Sequence, residues 1–296
     1  MSTEVPPVKV VRRGMSALLW AAAVLVLLAG VPLFVFSTRT AQYFAWTIAP
    51  SITAAFLGAL YWSAFVLEAA AARRRFWANA RIAVPAVLVF TVLTLGLSIW
   101  HRERLHFGTG FGADTRTITW AWIAIYTAVP ILLIVLLVAQ ARAPGRDPAR
   151  TAPLPRWLLG LTLLQGLALL GFGIALFAFP SHVRGLWPWP ITTLSSRAAA
   201  AWLIGLGVAA VHACIENDAV RVRPAAEAYI AVGLLEGIVL ARFSGNFDWS
   251  SPRTIVYLVA LALSFVIGVS ALRVRPREPR DVEYSLRVEE REQLQV

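Results

Sequence analysis

Lysine occurs once in this chain, at Lys9, and cysteine once, at Cys214. A lone cysteine excludes an intramolecular disulfide and any Cys-x-x-Cys redox or zinc pair. Charged residues are scarce, at 15%, where a soluble domain carries about a quarter. No His-Glu-x-x-His pattern, aspartate-rich pair or Ser-His-Asp set is visible, so no hydrolase or metalloenzyme motif supports an enzymatic reading. The four histidines leave only His212 inside an apolar run, which excludes a haem held by paired histidines within helices. Gly-rich GTGFGAD at 108–114 has no following Lys-Ser/Thr, so it is not a nucleotide loop. No cofactor is indicated.

What the chain has in excess is apolar length. Hydrophobic residues make up 58% of its 296 positions, and the mean hydropathy is +0.68. They come in blocks of about 20, the length that crosses about 30 Å of hydrocarbon. Eight such runs are expected as helices, near 15–37, 50–72, 82–100, 117–141, 157–179, 198–216, 224–242 and 254–272. The expected fold is all-α: a polytopic membrane protein with the lipid bilayer as its main partner. The first run is too long for the apolar region of a cleavable signal peptide, so it is read as a retained span.

An internal echo organises the runs. GVPLFVFSTRTAQYFAWTI at 30–48 aligns without a gap on GIALFAFPSHVRGLWPWPI at 173–191. Gly30, Leu33, Phe34, Phe36, Trp46 and Ile48 meet Gly173, Leu176, Phe177, Phe179, Trp189 and Ile191 at a constant offset of 143. The chain therefore divides into an N-tail (1–14), a four-helix repeat (15–141), a linker (142–156), a second four-helix repeat (157–272) and a charged C-tail (273–296). An even number of spans per repeat makes the two copies parallel, related by an axis along the membrane normal.

The net charge of +11 rests on 27 basic residues, all but one of them arginine. This skew fits a compositional bias and the membrane topology, not nucleic-acid binding. The N-terminus, the loops after spans two, four and six, and the C-tail hold 19 of them, against 8 in the other loops. Cytoplasmic loops carry the excess, so both termini are expected in the cytoplasm. Trp46, Trp187, Trp189 and Trp249 would then form an interfacial aromatic belt on the outer side.

YFAWTIAPSITAAFLGALYW, AWLIGLGVAAVHACIENDAVRVRP and ARFSGNFDWSSP together resemble an uncharacterised family of bacterial multi-pass membrane proteins. The resemblance implies about eight helices and a place in the bacterial inner membrane. It implies no activity and carries over no site residue.

Ionisable groups within a span are costly and point to function. Glu236 lies inside Gly233-x-x-x-Gly237, a spacing that lets helices approach closely. It is either a ligand- or proton-binding carboxylate or a carboxyl that glues two helices, and it should point into the bundle. Glu68 and His212 occupy near-equivalent places in the two repeats. They form either a proton relay or two side chains that snorkel to the interface. Arg242 and Arg39, with Tyr43, Trp46 and Trp189, and with Arg184, Arg197 and Trp187 in the same layer, could grip an anionic head group. Interfacial anchoring needs the same residue types. His101, His106, Asp114 and His182 lack a shared helical face, so no metal site is expected. ENDAVRVR at 216–223 is read as a solvated turn, with partner docking as the alternative.

Three function classes stay open. A transporter-like protein binding a small or lipid-like anionic molecule from the outer side is favoured by the repeats and Glu236. A non-catalytic assembly or regulatory subunit, its protein partner unidentified, is favoured by the short loops. A membrane-embedded enzyme on a lipid-like substrate lacks a motif. The charge asymmetry makes a topology prediction: reporters fused after Arg75, Arg150 and Val296 should read cytoplasmic, and those after Gly110 and Gly245 extracytoplasmic. One site on the wrong side would redraw a span.

Overall fold

In the computed structural model, which describes residues 7–276, the chain is helical throughout, with isolated bridges in place of strands. The eight expected runs are eight long helices: α1 Arg13–Gly30, α2 Ser51–Ala72, α3 Ala83–Trp100, α4 Ala113–Ala141, α5 Arg156–Ala178, α6 Thr193–Glu216, α7 Ala219–Arg242 and α8 Pro252–Arg273. Each is long and apolar enough to cross a membrane. Of the expected tails, residues 1–6 and 277–296 lie outside the described residues. Three starts differ from expectation by four residues or more; α4 begins at Ala113, not 117. α6 begins at Thr193, where the Thr192 hydroxyl caps Ser195 N–H. α7 begins at Ala219, with Pro224 inside it, because the Asp218 carboxylate accepts from Val220 and Arg221 N–H. α1 continues through one π-helical turn, Val31–Val35, at Pro32, whose missing N–H interrupts the regular ladder.

The packing follows from residue size. α2 and α6 are rich in alanine and glycine and are the most buried of the eight helices. Small side chains let neighbouring backbones approach, so these two helices become the centre of the bundle. α2 packs along α1 and α7; α6 packs along α5 and α3. Each half thus lays its second helix against the third helix of the other half. α3 closes on α4, and α7 on α8. Gly166 and Gly173, two turns apart on one face of α5, admit Gly207, Ala210 and Ile204 of α6.

The expected tail and linker are strapped to the bundle. Lys9 N–H donates to Arg146 C=O, Arg146 N–H to Pro7 C=O, and Val11 N–H to Arg75 C=O. The Gln140 amide brackets this strand, accepting from Arg12 N–H at 2.8 Å and donating to Val10 C=O at 2.8 Å. Gly145 sits at φ 105°, with the Pro7 and Lys9 backbone against its Cα, so a side chain is excluded there.

Three members of the expected aromatic belt are core residues instead. Trp46, Trp187 and Trp189 are each 3% exposed, because the loops that carry them fold inward over α2. Trp189 donates to Thr53 Oγ1 on α2 at 2.9 Å. Trp249 alone of the four is exposed.

The closest approach of a glycine to a neighbouring backbone makes a stability prediction. A Cβ on Gly58 of α2 would lie 2.5 Å from Phe34 N in the π turn, a backbone atom that cannot move aside. Gly58→Ala should cost roughly 1–3 kcal/mol, as overpacking does, and lower the melting temperature in detergent. Gly160→Ala, where a Cβ meets nothing within 4 Å, should leave it unchanged. Equal melting of both variants would refute the packing.

Candidate functional site

Glu236 is fully buried on the face of α7 that also buries Val232 and Val239, at i−4 and i+3. As expected, it points into the bundle. Its Oε2 accepts from the Tyr257 hydroxyl of α8 at 2.9 Å; its Oε1 is buried without a partner. Gly233 is the small residue that makes this possible, since a Cβ there would meet Phe265 of α8 at 2.8 Å. Gly237, by contrast, is exposed and faces nothing, so only half of the Gly-x-x-x-Gly pair is a helix contact.

Glu236 lines a cavity of about 570 Å³ between α5, α8, α7 and the 186–188 loop. Gln165 of α5 enters the same space. Its amide donates to Ser264 Oγ at 2.7 Å and Ala260 C=O at 3.1 Å, and its Oε1 is unpartnered. Trp187 Nε1 is the third polar atom on the wall with no partner. Buried polar atoms are nearly always hydrogen-bonded, so two free acceptors and one free donor on one wall mark it as a place for a polar group. The rest of the lining is apolar. Leu164 on α5 and Val256 on α8 belong to it and are 66% and 69% exposed, so the cavity opens sideways between these two helices. Arg253 lies at its rim, tethered to Gly185 C=O at 2.8 Å.

A second, smaller chamber of about 100 Å³ lies between α1, α2, α3 and α4, with α6 and α7 behind it. Glu68 is its acid, 2% exposed. Leu60, Leu206 and Val232 border both chambers, which therefore stand back to back.

The other residues singled out from the sequence do not gather at one site. His212 Nε2 lies 3.3 Å from Glu216 one turn on, and Glu68 makes no hydrogen bond to it, so the two are not in contact as the relay alternative requires. Arg242 donates to Phe34 C=O at 2.5 Å and stacks on Phe34 and Phe243. Arg197 donates to Phe177 C=O and His101 and lies 3.9 Å over the Trp100 ring. Tyr43 packs on Phe36, and Arg39 donates through its backbone to Phe36 C=O. Trp46 joins a cluster with Phe44 and Trp122; Trp189 joins another with Trp187, Phe247 and Tyr257.

ENDAVRVR is a clasp rather than a solvated turn. Glu216 is clamped by both Arg81 and Arg221, and Arg81 also reaches Asp147 of the linker. Asp218 accepts from Thr151 and Ala152 N–H at 2.7 and 2.8 Å, Asn217 from Leu154 N–H, and Arg221 donates to Pro148 C=O. This turn docks the linker of its own chain. The sequence reading missed the clasp, and it also missed Gln165, Tyr257 and Trp187 in the larger cavity. Gln165 was open to detection as a lone amide within an apolar run, by the same rule that picked Glu236. Among the described residues no group of three or more His, Cys, Asp or Glu side chains is arranged to hold a metal ion.

Comparisons with protein-family profiles, with curated proteins and with solved structures return no match to this chain. Every role proposed below therefore rests on its own residues.

His106 makes a pH prediction. It is 2% exposed between helices α3 and α4; its ring bonds Phe44 C=O through Nδ1 and the Thr47 hydroxyl through Nε2, each at 3.0 Å. Nδ1 therefore carries the proton and Nε2 accepts. Burial lowers its pKa, partly offset by the Phe44 carbonyl. The folded state thus binds a proton less readily than the unfolded one, and stability is lost as pH falls through the unfolded value, about 6.5. Melting temperature should drop between about pH 7.5 and about pH 5.5, and His106→Gln should shrink that drop. An unchanged drop would contradict this arrangement.

Proposed function

We propose that this chain is a multi-pass membrane protein of transporter-like type. Its α5–α8 cavity takes up an amphipathic, lipid-like molecule, with Glu236 as the polar anchor. The observation that carries the reading is a laterally open, apolar cavity of about 570 Å³ ending on a buried, half-bonded carboxyl. A ligand's apolar body lies between α5 and α8. Its polar group meets Glu236, Gln165 and Trp187. Arg253 at the rim suits an anionic head group, which a guanidinium grips in a fork.

An ion path would need a polar, wet lining; this lining favours a lipid-like ligand instead. Sideways opening between two helices suits entry from the bilayer. The arginine asymmetry supports cytoplasmic termini, which puts the aromatic loops and the Arg253 rim on the outer side. The duplication is supported by the sequence echo and by the reciprocal packing of α2 on α7 and α6 on α3. It is supported too by the paired placing of Gly30 against Trp62 and Gly173 against Ile204.

The test is purification in mild detergent followed by mass spectrometry of bound lipids. One amphipathic species should be enriched over bulk lipid. Ala168→Trp, which fills the cavity, and Glu236→Leu should each reduce it roughly tenfold, the order of one lost polar contact. Glu236→Gln should fold and keep the Tyr257 bond, because its amide oxygen accepts as the carboxylate does. No enriched species, or enrichment indifferent to Ala168→Trp, would sink the proposal.

A further inference from the structure

We infer that the smaller chamber is a second and chemically different binding site, one that takes a small organic cation: an ammonium group on an apolar or aromatic body. The inference does not depend on the lipid-like ligand proposed for the larger cavity. Glu68 is 2% exposed, its Oε2 has no partner, and among the described residues it makes neither a hydrogen bond nor an ion pair. Glu216 shows what a structural carboxylate looks like in this fold, with arginines on both oxygens. A buried carboxyl without a partner stays protonated and neutral until a cation reaches it, and its charge is then held by that cation; no cationic side chain lines the Glu68 chamber.

The remaining walls say which cation fits. Tyr61, Phe90, Trp122, Tyr126 and Trp202 line the chamber together. Aromatic faces attract cations, ammonium ligands above all. Two of these polar handles are engaged elsewhere: Tyr61 and Tyr126 share one hydrogen bond at 2.6 Å, and Trp122 donates to Ser98 Oγ at 3.0 Å. Tyr61 stands seven residues before Glu68 on the same face of α2, about 10 Å along it. One end of the chamber is therefore anionic and the other aromatic. Its volume of about 100 Å³ is several times the on the order of 10–15 Å³ that one water needs. Calcium takes six to eight oxygen ligands, and Glu68, Ser63 and Thr91 are too few to hold such an ion. Half-buried Leu25, Val26 and Ile125 form an apolar approach between α1 and α4, which suits a lipophilic amine.

The experiment is isothermal titration calorimetry of the purified full-length protein with 2-phenylethylamine, an ammonium at neutral pH. Its neutral isostere, 2-phenylethanol, is run in parallel. The amine should bind saturably at one site per chain, and the alcohol should give no saturable heat. Glu68→Gln should weaken amine binding roughly tenfold to a hundredfold, the loss expected for a charged hydrogen bond. Glu68→Asp should retain most of it, and Glu227→Gln, at a half-buried acid outside the chamber and paired with Arg223, should change nothing. Absence of saturable amine binding, equal binding of the alcohol, or binding indifferent to Glu68→Gln would each overturn the inference. The amine–alcohol comparison uses the wild-type chain alone, so it decides even if the glutamine variant does not fold.

Discussion

Close backbone approach along α2 and α6 sets the position of everything else in this bundle. Runs such as AAAA at 69–72 and 198–201 carry little bulk, so neighbouring helices pack against backbone, and dispersion contacts accumulate where lipid could not supply better ones. With these two helices at the centre, the third helix of each half crosses to the second helix of the other. The bulky outer helices are left to close around spaces they do not fill. Two chambers result, and Leu60, Leu206 and Val232 form the only wall residues they share.

The three buried glutamates among the described residues differ in how far the protein satisfies them. Glu216 is bonded on both oxygens by arginine, and removing it would release the linker that Asp218 and Asn217 also hold. Glu236 has one oxygen met by Tyr257 and one left over; Glu68 has no hydrogen-bond partner. A buried carboxyl carries charge only when something pairs with it, and otherwise stays protonated. That sequence of full, half and absent pairing separates a structural acid from two that face chambers. Glu68 sits on central α2, and Glu236 on α7, which packs along it.

The helices and the inward turn of Glu236 were legible in the sequence, because a run of about 20 apolar residues has few other uses and a carboxyl in one cannot face lipid. What escaped depends on the direction in which a side chain points. Trp46 and Trp189 have the composition of a belt, yet their loops fold inward, and Trp189 spends its N–H on Thr53. Gly237 shares the small-residue spacing with Gly233 but lies on the outer side of α7. His212 has a nearer partner in Glu216, one turn away, than any across the bundle. Glu216 itself looked like part of a solvated turn, because its partner Arg81, and the Asp147 that shares that arginine, are distant in sequence. No periodicity in a single chain encodes such pairings.

The central claim is that the space between α5 and α8 exists to hold an amphipathic molecule against Glu236. The most direct measurement is an electron cryomicroscopy map of the protein in lipid nanodiscs. The account predicts elongated density that enters beside Leu164 and Val256 and ends within hydrogen-bond distance of Glu236, with α5 and α8 still apart. A map in which α5 closes on α8, and in which Gln165, Trp187 and Glu236 find their missing partners within the protein, would contradict it.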